Sequence, residues 1–485
     1  MTDTLRPFTR GPAAATTRRA TAARSVRPAR VLVVFGKEWD RGAFAPQLAA
    51  GEIELAFEGF DLFRFPGNAR LLAFDAWRFV DRVCATYAGR IDAVLSNNEQ
   101  FGALLAAVIA QRLGLPGNDP RAVVLAHHKL ACREAQRRVA ADAVPRFAPL
   151  GFALDDPRAR DARALQAAVA ASDLAWPLFV KPIKATFSVL ARRVDSARAL
   201  AQHLRFGPFE RRIIRRLVQP YADIAAQVAP GLSDPAGMLL ETPIAGHQVN
   251  VDGYVFRGDV RIVGMTDALM YPNEANGAQH FLRFAYPSRI ASDVRARIER
   301  LTRLLLAELG FAHGFFNAEF FVRPDGRVHY IEVNPRLASQ LADLYRWVDG
   351  RDVYRMLVAL ARGRDPETVE RLAPAAGAAA SFVWRKFDGT AADRLPTRAD
   401  LDWLAREHPD ARLMLYAKRG AALAREYKWL GSHRYAVMNL CAEDEPRLRE
   451  RYEAICKRFG WPVVLMPAHT NGSPCHCGVP RIDSQ

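Results

Sequence analysis

The chain has 485 residues, half of them hydrophobic, and a formal charge of +16. This length supports about two to four lobes with a substantial core. No uncharged apolar run approaches the roughly 18–20 residues of a membrane span, so a membrane is not an expected partner.

The charge is uneven. Residues 1–30 carry seven Arg against one Asp, among many Ala and Thr. Residues 1–28 read as a disordered basic tail, with a mitochondrial-type transit peptide as the alternative. Nucleic acid is not expected as a partner: no recognition motif accompanies the charge, and the other arginines are scattered among acids. The six cysteines, at 84, 132, 441, 456, 475 and 477, are too dispersed for a disulfide framework. With no secretion signal, the cytoplasm is the expected compartment.

Order is expected from Ala29. Arg30–Gly36 (RVLVVFG) reads as a buried parallel strand ending at a glycine, and Ala93–Ser96 (AVLS) as a second. The second is followed by Glu99 and a helix through Ala110. This alternation predicts an α/β lobe over 29–120, with ligands beyond the strand C-termini. Asn97, Asn98 and Glu99 lie there, as ligand contacts or as helix caps. The next helix starts at an Asn118 or Asp119 cap with Pro120 in its first turn, and carries His128 and Lys129. A mixed region follows, with one distinct strand, Pro177–Pro182 (PLFVKP).

From Val249 the pattern becomes strands, with Phe256-Arg257-Gly258-Asp259 as a turn. A helix from a Ser292 cap places Val294, Ile298, Leu301, Leu305 and Leu309 on one face and ends at Gly310. Residues 373–380, Ala-rich with one Pro and one Gly, read as a linker to an α/β lobe over 373–466. A flexible tail over 467–485 holds Cys475-His476-Cys477 and His469, a soft-metal site or an incidental stretch.

Two strands, 315–323 and 327–334, carry the chemistry. If Asp325-Gly326 forms a two-residue hairpin turn, Glu319 lies opposite Glu332 and Asn317 opposite Asn334. Facing carboxylates repel, by about 3 kcal/mol at about 5 Å and an effective dielectric near 20. They persist if a cation lies between them or if they share a proton. With an amide oxygen added, the set is hard and suits Mg²⁺. The alternative is a different register, with Glu332 facing solvent on an edge strand.

Asn317-Ala318-Glu319 followed by Tyr330-Ile331-Glu332-Val333-Asn334-Pro335-Arg336 resembles the metal-binding strands of the ATP-grasp superfamily. The resemblance covers about residues 30–465. It implies an α/β fold with an α+β lid: an N-terminal parallel lobe (29–120) and an ATP-grasp domain (121–372, lid about 146–243). The C-terminal part would be a mostly antiparallel sheet lobe with the hairpin metal site. By resemblance, Glu319, Glu332 and Asn334 bind Mg²⁺, with Mn²⁺ as a substitute, and Arg336 meets the transferred phosphate and the substrate carboxylate. Lys129 and Lys181 match the two ATP-contacting lysines. Leu239–Ile244 (LLETPI) resembles the hinge, where Glu241 and the backbone near Ile244 would hold adenine, with Gln248 on the ribose side.

The loop after Lys181, Ile183–Ser188 (IKATFS), has no glycine where relatives often place a glycine-rich phosphate loop. Thr186, Ser188 and Lys184 would substitute for it. Arg283 and His280 are expected to shape an acceptor pocket.

The implied activity is an ATP-dependent carboxylate–amine ligase acting on small molecules through an acylphosphate, or a carboxylate–thiol ligase. The alternative is a non-catalytic ATP-binding module that regulates a partner. Many relatives dimerise, so the resemblance also allows a homodimer.

Overall fold

A computed structural model describes residues 27–62, 67–154, 156–186, 189–271 and 279–463. Ser188 and the Cys475-His476-Cys477 stretch lie outside the described residues, as do 1–26 of the basic tail. Fifteen strands form three sheets.

The first sheet is the N-terminal parallel one. β1 (Ala29–Val34) lies between β2 (Ile53–Glu58) and β3 (Ala93–Leu95), in parallel with both. β1 is almost wholly buried because helices cover both faces, which is why it is apolar throughout. Beyond β3, Asn98 Oδ1 accepts from the N–H groups of Gln100, Phe101 and Gly102 and caps the helix Gly102–Arg112. Asn97 donates to Asp40 at 2.8 Å. Glu99 alone of the three turns toward the cleft below.

The second sheet is antiparallel: β4 (Phe147–Pro149), β7 (Met238–Glu241), β5 (Leu178–Pro182) and β6 (Arg192–Val194), in that spatial order. Between β6 and β7 the chain leaves this sheet. The helix Pro208–Val228 packs Tyr221, Ile224 and Ala225 into the core of the first lobe, with Phe35 and Leu104.

The third sheet has eight strands. They are, in spatial order, β12 (Val328–Asn334), β11 (Gly314–Val322), β8 (His247–Phe256), β9 (Asp259–Met270), β10 (Phe281–Tyr286), β13 (Ala378–Lys386), β15 (His433–Ala442) and β14 (Arg412–Leu415). All of its pairs are antiparallel. β8 and β9 turn through Arg257 and Gly258, both at positive φ, the two-residue geometry that matches strand twist. Parallel lobe, α+β lid and large antiparallel sheet together form the expected ATP-grasp architecture. No helix among the described residues is long and apolar enough to cross a membrane.

Four local expectations are corrected. Ala378–Ala380 is not linker but the start of β13, fully buried or nearly so. Small side chains suit a strand wedged between β10 and β15, and without bulky residues the segment looked unstructured. The helix Ser292–Glu308 is capped by Ala291 with no side-chain bond, so Ser292 is its first residue. The helix from Pro120 stops at His127: His128 Nδ1 accepts from the Ala131 N–H and starts a second helix, Lys129–Ala140. Arg283 is turned away from the cleft and ion-paired to Glu445 at 2.6 Å.

Candidate active site

The acidic hairpin departs from the expected turn yet reaches the expected pairing. The loop holds three residues, Pro324-Asp325-Gly326, with Gly326 at φ +76° and its N–H bonded to the Arg323 carbonyl. That shifts the register by one: Phe320 faces Tyr330 and Val322 faces Val328. A β-bulge at Ile331 then adds a residue on β12 and restores the offset. Glu319 therefore faces Glu332, and Asn317 faces Asn334. β12 is an edge strand, but Glu332 is not given over to solvent: its carboxylate lies 3.0 Å from Lys129 Nζ.

Glu319 accepts from Gln248 Nε2 at 2.8 Å and from Asn334 Nδ2 at 3.2 Å. Burial, then the Glu332 and Glu99 carboxylates, push its pKa up to about 8. Arg336 and Lys129 pull the other way without offsetting burial and the two acids. Two carboxylates and the Asn334 amide, whose Oδ1 is the harder donor, fit a hard divalent cation. Behind them, Asp252 accepts from Asn317 Nδ2 at 3.3 Å and from Tyr345 at 2.6 Å, which fixes the Asn317 amide.

Lys129 and Lys184 line the cleft, and Lys181 on β5 lies near enough to feel Lys129 and Glu332. Lys129, at the first turn of its helix, also donates to the Ala185 carbonyl at 2.9 Å. Burial alone would depress its pKa, but Glu332 holds it above the ordinary lysine value. Lys181 points from β5 to Glu241, 2.9 Å away. Burial pushes it down to about 8, and Arg133 and Lys129 add to that. Lys184 donates to the Glu99 carbonyl at 3.0 Å. Burial first, then Lys129, lower it to about 7. Thr186 donates to Gln100 at 2.8 Å instead of facing open space.

Arg133 was not legible as a site residue. It lies one helical turn after Lys129 and grips Glu241 through Nε at 2.6 Å and Nη2 at 3.1 Å. Burial would raise the Glu241 pKa, but Arg133 and Lys181 together bring it to about 2. Glu241 is ionised, and Arg133 takes the larger share of its charge. The Glu241 side chain is thus occupied by two cations. Ile244 lies half-buried in the connection from β7 to β8.

Arg336 donates from Nε to Glu99 Oε2 at 3.1 Å, and its Nη2 bonds the same oxygen. The i+4 spacing to Lys129 was the one sequence signal for Arg133; Glu99 was visible only as a polar residue past a strand end. The cleft is lined by Glu99, Lys129, Arg133, Lys184, Glu332 and Asn334, among others. Gln248 is set against Glu319, on the side of the paired acids.

A parallel lobe, an α+β lid and an antiparallel sheet closing on paired acids and lysines define the ATP-grasp class. Residues 174–343 match the ATP-grasp domain family. It is similar to an L-amino acid ligase from Bacillus licheniformis: TM-score 0.65, 16% identity, covering 90% of this chain and 98% of that one. A carboxyaminoimidazole ribonucleotide synthase from Aspergillus clavatus, solved with ATP, superposes with TM-score 0.60 and 13% identity, over 89% and 98% of the two chains. At these identities the likeness is one of fold. In sequence, the chain is 30% identical over 291 residues to carnosine synthase 1 of Gallus gallus. That match covers 59% of this chain but only 29% of the relative's length.

Proposed function

We propose that the protein is an ATP-dependent ligase that activates a carboxylate as an acylphosphate and passes the acyl group to an amine. One observation carries this reading: Glu319 and Glu332 face each other across two strands, beside a cleft lined by Lys129 and Lys184. A module that only bound nucleotide would not need a like-charge pair held at such cost. The names of two similar proteins, an L-amino acid ligase and a carnosine synthase, favour amino-acid-type substrates.

On this reading Lys129, Lys181 and Lys184 hold ATP phosphates, and adenine lies against the 241–244 connection near Ile244. Glu319, Glu332 and Asn334 would hold Mg²⁺, which offsets phosphate charge. A carboxylate oxygen attacks the γ-phosphorus and the bond to ADP breaks. Arg336 exchanges Glu99 for the acylphosphate and stabilises it. The amine then attacks the acyl carbon, phosphate leaves with the C–O bond electrons, and the ammonium proton goes to solvent. No nucleophilic side chain is required: the protein positions and stabilises charge. The four described cysteines are free, which suits a reducing compartment such as the cytoplasm.

The test is ADP and phosphate release from Mg-ATP with pools of carboxylic and amino acids, with hydroxylamine present to trap acylphosphate. Glu332→Gln is the blank. A hydroxamate formed only by the wild type supports the ligase. ATP binding without turnover across broad pools would overturn it in favour of the binding module.

A further inference from the structure

The C-terminal strands hold a second concentration of positive charge, outside the ATP cleft. Arg385 on β13 and Arg434 on β15 are direct partners across the antiparallel ladder. Like charges so placed are destabilising. Among the described residues neither guanidinium has a carboxylate partner. Glu426, on the neighbouring helix, is 2.6 Å from Lys418 and accepts from the Arg434 backbone N–H at 3.1 Å. Arg434 lies over the Tyr416 ring, 4.4 Å from its centroid, and Trp39 of the N-terminal lobe donates to the Tyr416 hydroxyl at 2.7 Å. The pair therefore lines the seam between the N-terminal lobe and the large sheet.

The hydrogen bonding here has a sign. Arg385 Nη1 donates to Ser432 Oγ at 2.9 Å. Ser432 Oγ lies 3.4 Å from His280 Nδ1, and with one hydrogen and two lone pairs it can donate to that nitrogen or accept from it. Arg385 Nε and His280 Nε2 are buried without a hydrogen-bond partner, and the first is a donor in every state. His280 is 5% exposed, and burial, then Arg385, hold it neutral with a pKa of about 3. Glu426, the nearby carboxylate, is already engaged by Lys418 at 2.6 Å, so the two guanidiniums and the unmet Arg385 donor are left without an anion of their own.

The same strand ties this cluster to the reaction site. Ser381 precedes Arg385 by four residues on the same face of β13, and its Oγ accepts from Gln340, four residues past Arg336. At about 3.3 Å per residue, the arginine pair lies roughly 13 Å along the strand from that point.

We propose that Arg385 and Arg434 form an anion subsite that binds a carboxylate of the substrate remote from the one being activated. The proposal deepens the ligase reading and rests on it for the identity of the ligand as substrate. The carboxylate belongs either to the amine component, as in an amino acid acceptor, or to a second acid group on the activated component.

Calorimetric titration of the full chain with Mg-ADP present separates the two. Glutarate is compared with glutaramide, and L-alanine with L-alaninamide. At least one carboxylate is expected to bind tenfold or more tightly than its neutral partner, and the pair that discriminates identifies the source. In Arg385→Gln/Arg434→Gln, and in part in each single variant, that gap closes to under threefold while ADP affinity stays within twofold. The double variant is expected to melt at or above the wild-type temperature, because it relieves a like-charge contact. No discrimination in the wild type, or a gap that survives in the double variant, would overturn the subsite. Binding is read without turnover, so a silent hydroxamate assay beside an intact binding gap would count against the ligase alone.

Discussion

Glu319 is a residue whose ionisation the site shifts strongly. Its folded pKa, about 8, lies above the ordinary carboxylate value. The folded state therefore binds the proton more tightly than the unfolded chain between about pH 4.5 and 8, and stability falls as pH rises through that window. The slope should appear as a declining Tm in EDTA, and Mg²⁺ should flatten it. Glu319→Gln should flatten it without metal while lowering turnover by at least about a thousandfold, as expected for a lost transition-state contact. A slope unchanged by both would remove Glu319 from the metal set. Lys184, held near 7 by burial and Lys129, is protonated below neutrality. If it meets phosphate, ATP affinity falls as pH rises past 7, and Lys184→Met gives a weaker, flatter profile by titration calorimetry.

At the scale of single elements, the hairpin shows how a pairing can be read correctly from an incorrect turn. Asp325-Gly326 signals a tight turn and does form one, but Pro324 joins the loop and Ile331 bulges. One local departure offsets the other, because the buried faces of β11 and β12 must both stay aligned with β8. Sequence periodicity has no view of that compensation. The paired acids, both lysines and Arg336 were legible because each occupies a fixed place beside a strand or helix end. Arg133 was not, since its role depends on Glu241, more than a hundred residues away. Its side chain and that of Glu241 are 3% and 5% exposed. Removing one partner of such a buried pair costs about 3–5 kcal/mol. Arg133→Met should lower unfolding free energy by that order in urea titration. A loss below about 1 kcal/mol would mean that Lys181 alone satisfies Glu241.

At the scale of the whole molecule, the C-terminal region looked like a separate lobe because an Ala-rich stretch precedes it. Its three strands instead complete the large sheet, with β13 paired to β10 over Arg283–Tyr286. A chain ending at residue 377 would expose the β10 edge and remove the cover from Phe284 and Tyr286. It should be insoluble or lack cooperative melting by circular dichroism. Cooperative folding of that fragment would show that the core closes without the C-terminal strands. The helix Pro208–Val228 has a different consequence. The lid sheet is joined to the large sheet through residues 242–246, and through this helix it is also pinned to the N-terminal lobe. A flap held at two points has one axis of rotation left. Opening over the nucleotide must then either pivot about the line joining both pins or carry the N-terminal lobe with it. In the second case, access to ATP and access to the Trp39 seam are a single mechanical coordinate.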